Sequence, residues 1–394
     1  MRSVKMFYGE NIKLLRNLHG MSRRSLAVEL NCSEQTIGQY ERGVLNPKMK
    51  NIIDMSAYFA VKSSFFYSKL PVKDTIPEKN IAYRSRDRDV RKKTLEGSTK
   101  LKLASSIIEF CESSFNLKAS PLLTAIDEVN SIKNKQENSD LSKNQIESYA
   151  NITRNLLGIK SNSELLYNLE LNGVYVIESD ALSYADAYSV WSRNNDNRLI
   201  RPFIVLGNST TLVRRIFDLA HELGHLVIHY DVDMNNLEKE EFLRCEKEAN
   251  EFASAFLLPQ NEVSSWIKMV IHKGDPDAYI PVKQKYYVSL ATAAYRAYEL
   301  GYLSKQENSR FFASRYRKHY VYKEPFDDKM PLTKPGKIMA LFEIYNKKIE
   351  PFSNVLNDFS IEPQFLSDVF CLPEDLITKL VTKKPSYYNN IIEF

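Results

Sequence analysis

The chain has 394 residues, enough for two or three domains with a sizeable core. Its 43% hydrophobic and 26% charged residues are the proportions of an ordinary globular protein, and no apolar run approaches the roughly 20 residues needed to span a bilayer. Cys32, Cys111, Cys245 and Cys371 stand far apart with no C-x-x-C pair, which excludes a disulfide framework and a cysteine-based zinc finger. With no long apolar stretch behind Met1, they predict a cytoplasmic protein without a secretory leader or membrane contact. The net charge of +5 is uneven: residues 1–100 hold 20 Lys and Arg against 10 Asp and Glu, and the other 294 hold 34 against 39. A polyanionic partner is therefore expected at the front only.

Residues 8–68 read as short helices in succession. Ile12, Leu15 and Leu18 mark one face of the first, Ser22 can cap a second over 23–30, and Ser33 a third over 34–42 that stops at Gly43. Pro47 precedes a fourth helix through Ile52, Ile53, Met55 and Phe59, and Phe65 and Phe66 sit in a fifth short piece. Residues 71–100, broken by Pro71 and Pro77 and running through a mainly basic stretch at 83–93, predict a linker. Helices are expected over 101–130 and 141–170, short strands at 174–178, 187–192 and 201–206, and long helices at about 210–229 and 237–258. Another helix is expected over 288–303. The remainder reads as helical fragments broken by Pro331, Pro335, Pro351, Pro363 and Pro373.

Chemistry concentrates in His221-Glu222-Leu223-Gly224-His225. Imidazoles at i and i+4 lie on one helix face a turn apart and can share one metal ion, with Glu222 beside them as general base toward the attacking water. Leu219, Ala220, Leu223, Leu226, Val227 and Ile228 bury that helix, so its polar groups need partners. A catalytic site wants a third protein ligand. His229 continues the stripe, but eight residues place it about 12 Å along the axis from His221, which makes it a supporting residue. On the helix over 243–258, Cys245, Ala249, Phe252, Ala253 and Phe256 form the buried face. Glu248 lies at its edge, Glu241 shares a suitable phase, and Glu246 and Glu251 point further away, so spacing leaves Glu241 and Glu248 open.

The ordered set Asp186-Ala187-Tyr188-Ser189-Val190-Trp191, Arg201-Pro202-Phe203-Ile204-Val205-Leu206, the stretch from Arg214 to His225, Glu246-Lys247-Glu248-Ala249-Asn250-Glu251-Phe252-Ala253 and Leu257-Leu258-Pro259 resembles the ImmA/IrrE family of metallopeptidases. The later Val288-Ser289-Leu290, Tyr295-Arg296 and Leu300-Gly301 are similar to that family's following helix, so the resemblance covers about residues 170–305. It implies a zincin-like core, zinc as cofactor with manganese as the alternative, His221, His225 and Glu248 as metal ligands, and Glu222 as the catalytic base. Tyr184, Tyr188 and Tyr230 are candidates for stabilising the oxyanion. Strand 203–206 is a candidate edge for pairing with an extended peptide.

Residues 9–68 resemble an Xre/Cro-type helix-turn-helix domain through Leu14-Leu15-Arg16, Met21-Ser22, Leu26-Ala27, Ser33, Thr36-Ile37, Tyr40-Glu41, Gly43 and Pro47, with Arg23 where that family often has glutamine. The third helix is then the recognition helix, with Gln35, Thr36 and Gln39 toward base edges and Arg23, Arg24, Arg42 and Lys48 toward phosphates. Together the resemblances imply an α+β multidomain protein: an all-α helix-turn-helix domain (1–70), a basic linker (71–100), a mainly helical zincin-like metallopeptidase domain with a small β-sheet (101–305), and a helical C-terminal accessory region (306–394). The expected function is a DNA-binding transcriptional regulator whose zinc endopeptidase cleaves a helix-turn-helix repressor, or itself within the linker, in a stress, mobile-element or phage response. The alternative is a non-proteolytic transcription factor or antitoxin that uses the zincin fold as a sensor. Expected partners are a double-stranded operator, a protein substrate and a second copy of the chain. Tyr316, Tyr320, Tyr322, Phe326, Phe352, Phe359, Phe365 and Phe370 make the last region aromatic, either as core or as a partner surface.

Overall fold

The computed structural model describes residues 6–73, 75–81, 90–133, 141–179, 182, 187–208 and 211–382. Helices α1 (Glu10–Leu18), α2 (Arg23–Glu29), α3 (Glu34–Glu41) and α4 (Met49–Tyr58) open the chain, followed by a 3-10 turn, Ser63–Tyr67. The Ser22 hydroxyl accepts from the Ser25 amide and the Ser33 hydroxyl from that of Thr36, so both caps form as their spacing predicts. Ile12, Leu15, Leu26, Ile37, Ile52, Met55, Phe59, Phe65 and Phe66 close the core of this unit.

Helix α5 (Val90–Glu112) begins inside the stretch read as a linker. Part of its buried face is made of hydroxyls, Ser98, Thr99, Ser105 and Ser106, which apolar periodicity does not register. Thr99 and Ser98 both donate to the Leu95 carbonyl, which satisfies them inside the helix. The basic stretch at 83–93 falls largely outside the described residues. The single helix expected over 101–130 is two, because α5 ends at Glu112 and Pro121 opens the next, Pro121–Lys133. Likewise Gly158, at φ +64°, ends Lys143–Leu156 before Leu165–Leu171.

Three strands form one sheet: β1 (Tyr175–Glu178), β2 (Ala187–Arg193) and β3 (Leu199–Leu206), in the order β1-β3-β2. β1 runs parallel to β3 with Ile177 opposite Val205, and β2 runs antiparallel with Ser189 opposite Ile204. β3 is therefore the middle strand, not the edge, and among the described strands β2 is the edge nearer the histidines. Both faces of the sheet are covered. Tyr175, Ile177, Tyr188, Val190, Phe203 and Val205 pack into one core with α1–α5 and the C-terminal helices, while Val176, Trp191, Ile204 and Leu206 pack into a second with helix Leu212–Ile228. This α+β arrangement sets the histidine helix directly on the sheet, with helix Lys239–Leu257 packed beside it. Gly224 permits the close approach: a Cβ there would lie 3.0 Å from the Phe252 ring.

The C-terminal helices Lys337–Lys348, Phe352–Asp358, Pro363–Phe370 and Glu374–Thr382 close over the front of the chain. Val61 bridges Ile361, the Lys62 amide donates to Ser360 at 2.8 Å, and the Glu362 amide donates to Ala60 at 2.9 Å. Phe352, Phe359, Phe365 and Phe370 are buried in the core shared with the first four helices, whereas Tyr316 and Tyr322 are exposed. Half of that aromatic set is thus core whose partner is the chain's own N-terminal unit. Elsewhere, the fully buried Lys283 ammonium holds Glu324 at 2.9 Å and Asp327 at 2.5 Å, anchoring the segment after helix Lys305–Arg317. Glu324→Ala, which breaks this buried triad, is expected to cost roughly 3–5 kcal/mol. The drop in denaturant midpoint measures it, and a loss below about 1 kcal/mol would mean these charges behave as solvated ones. No helix among the described residues is long and apolar enough to cross a membrane.

Candidate metal centre and nucleic-acid face

Thr211 caps helix Leu212–Ile228 by accepting from the Arg214 amide. Edge strand β2 then pins that helix by side chains: Ser189 donates to the Glu222 carbonyl at 3.0 Å and Trp191 to the Leu226 carbonyl at 2.9 Å. His221 and His225 project side by side with their Nε2 atoms 3.1 Å apart. The carboxylate that meets them is Glu246, with Oε1 3.3 Å from His225 Nε2 and Oε2 3.6 Å from His221 Nε2. His221, His225 and Glu246 form a group whose ligand atoms all lie within 4.8 Å of one another.

Glu248, expected as the third ligand, does not join this group. Its carboxylate instead accepts from His229 Nε2 at 2.9 Å, and His229 Nδ1 lies 3.0 Å from His225 Nδ1. The reason is helical phase. Glu246 and Asn250 are four apart and share the stripe that faces His221, with Asn250 Oδ1 3.1 Å from His221 Nδ1. Glu248 lies on another side of the helix, toward His229. Glu241 caps its own helix start, with its side chain on the Glu238 amide.

One set of tautomers satisfies all of these contacts. Asn250 Oδ1 is an acceptor, so His221 Nδ1 carries the proton and its Nε2 a lone pair. His229 Nε2–H donates to Glu248, His229 Nδ1 then accepts from His225 Nδ1–H, and a lone pair is left on His225 Nε2 as well. Two nitrogen lone pairs and a carboxylate therefore converge within 4.8 Å of one another, a donor set that suits a tetrahedral divalent metal. Hydrogen bonds to the far ring nitrogens are the usual means of orienting ligating histidines.

Glu222 is buried and lines the same pocket as His221, His225, His229, Tyr230, Met234, Glu246 and Asn80. Burial pushes its carboxyl up to about 7, with His225 and the Ser189 hydroxyl pulling the other way. That is near the value that suits a base exchanging protons around neutrality. Among the oxyanion candidates, Tyr230 lines the pocket and its hydroxyl accepts from Asn130 at 2.9 Å. Tyr188 is buried on the opposite sheet face, as alternation along β2 requires. Tyr184 lies outside the described residues.

On the front unit, Gln35, Arg24, Arg42 and Lys48 are exposed and Gln39 is half-buried. Thr36 is also half-buried, and its hydroxyl lies 2.8 Å from that of the capping Ser33. Arg23, expected to face phosphate, donates its Nε to Glu41 at 2.6 Å. Arg16 donates to the other oxygen of the same carboxylate, also at 2.6 Å. Glu41 thus ties α1, α2 and α3 together, a role unmarked by anything in the sequence beyond its place after Tyr40. The main-chain ties between this unit and the C-terminal helices run through residues 60–62, and Gln35 at the start of α3 is exposed.

Two family models match the chain. Residues 12–66 match the helix-turn-helix family, and residues 169–298 match the peptidase M78 family, described as the IrrE N-terminal-like domain. No curated protein and no solved structure matches it. The two matches, in this order, agree with the fusion that the sequence resembles. The chain pairs a helix-turn-helix DNA-binding domain with a metallopeptidase-type hydrolase domain.

Proposed function

We propose that this protein is a cytoplasmic transcriptional regulator that binds an operator through α3 and cleaves a helix-turn-helix repressor with a zinc-dependent endopeptidase site. The carrying observation is the convergence of His221 Nε2, His225 Nε2 and the Glu246 carboxylate beside the buried Glu222. His221, His225 and Glu246 would hold the metal, zinc or manganese, with Glu246 replacing Glu248 in the set expected from sequence. A divalent ion bound by these three side chains would supply Lewis acidity for peptide hydrolysis. Glu222 takes the proton of the attacking water and passes it to the leaving amine. Glu248 and His229 orient the His225 ring. An extended substrate pairs with edge strand β2. On DNA, Gln35, Thr36 and Gln39 face bases while Arg24, Arg42 and Lys48 face phosphates, with a homodimer matching a two-fold operator. Arg23 keeps a phosphate role only through the part of its guanidinium that Glu41 leaves outside. The domain division 1–70, 71–100, 101–305 and 306–394 is retained for function, although α5 packs with the front unit.

The test is one preparation in two assays. Metal-loaded protein incubated with a panel of helix-turn-helix repressors should give discrete fragments that chelation abolishes, and the same protein should shift operator DNA. Gln35→Ala should weaken the cognate operator by about 1–3 kcal/mol and spare non-specific binding. Operator binding with no cleavage of any repressor, nor of the chain itself, would leave the sensor reading in its place. That second reading draws on one observation: the metal pocket encloses only about 20 Å³.

A further inference from the structure

The narrowness of the metal pocket has a local cause. Residues 75–81 lie in sequence between the helix-turn-helix unit and α5, and Asn80 among them lines the pocket. The Thr75 carbonyl accepts from the Arg193 amide at 2.7 Å, a main-chain bond to the end of edge strand β2. Asn80 then reaches over the site, donates to the Val232 carbonyl at 2.7 Å, and lines the pocket together with His221, Glu222 and His225. From the other side Asn235 donates to the Glu78 carbonyl at 2.7 Å. Ile76 and Ile81 are buried at either end of the span. Glu78 is held toward α5 by Lys102 at 3.1 Å and Ser98 at 3.2 Å. A cavity of about 20 Å³ admits one water molecule and no peptide residue.

We infer that residues 75–81 are an intrachain strap, bonded to the end of edge strand β2 and reaching the metal pocket through Asn80, and that a protein substrate binds only after displacing it. The inference rests on the peptidase reading for the identity of the displacing partner, but the strap itself is defined by its hydrogen bonds.

The experiment separates the two. In zinc-loaded full-length protein, Asn80→Ala with Asn235→Ala removes both side-chain ties to the 232–235 loop. Removal of zinc by dipicolinate should then speed up about tenfold or more, the effect of two neutral hydrogen bonds on an opening equilibrium. Exchange of the Arg193 amide should rise with it, and so should repressor cleavage. Faster zinc loss and exchange without cleavage keep the strap and sink the peptidase reading. Wild-type rates in a folded double variant overturn the strap. Should that variant not fold, the wild type carries the test: saturation with a peptidyl hydroxamate should raise exchange at the Asn80 and Ile81 amides, and unchanged protection there overturns the inference.

Discussion

Purified Glu246→Ala is expected to lose its bound metal, whereas Glu248→Ala keeps one equivalent at about 10–100-fold weaker affinity. The two glutamates are two residues apart and similarly buried, with 15% and 11% of their side chains exposed. Their difference lies in what they face. Glu246 meets both imidazole Nε2 atoms, so removing it deletes one of three donors. Glu248 acts on His225 only through His229, so removing it frees a ring without removing a donor. His229→Phe should then weaken metal binding about as much as Glu248→Ala, and the double variant should be no worse than either, because both break one chain of bonds. Competition with a calibrated chelator measures all four proteins. Melting temperature in excess chelator separates a metal effect from a folding defect. Retention of metal by Glu246→Ala together with its loss from Glu248→Ala would restore the ligand set expected from the sequence.

That disagreement shows what a single sequence reveals here. The front helices were legible because Ser22, Ser33 and the apolar spacing are local signals. The pair His221 and His225 was legible because i and i+4 on a helix need no tertiary knowledge. The third ligand was not, because the argument from burial supposes one buried face. Helix Lys239–Leu257 packs against both Leu212–Ile228 and Lys143–Leu156, so two of its sides are covered and burial cannot rank glutamates. A polar stripe, Glu246 with Asn250 four residues on, was the available signal, since both face His221. The choice of edge strand was unreadable for a related reason: β1, β2 and β3 are all apolar enough to be central, and their order depends on pairing across the sheet. The α5 start was hidden by buried hydroxyls. The strap rests on Asn80 meeting a carbonyl 152 positions away, which no local pattern encodes.

Glu222→Gln is expected to reduce repressor cleavage by about 10²–10⁴-fold while leaving metal content unchanged. The substitution keeps the side chain's size inside a buried pocket but removes its ability to take a proton. Because Glu222 is not among the three converging donors, the variant should bind zinc as the wild type does. Operator affinity should also be unchanged, since Gln35, Arg24, Arg42 and Lys48 are exposed on the front unit and none of them lines the pocket. Single-turnover cleavage with saturating repressor isolates the chemical step from binding. The three readouts together discriminate among mechanisms. Loss of cleavage with metal and DNA binding intact fits a base. Loss of metal would place Glu222 among the ligands. Cleavage at the wild-type rate would require another residue to take the proton. His229, whose Nε2 is committed to Glu248 and whose Nδ1 faces His225, is poorly placed for that task.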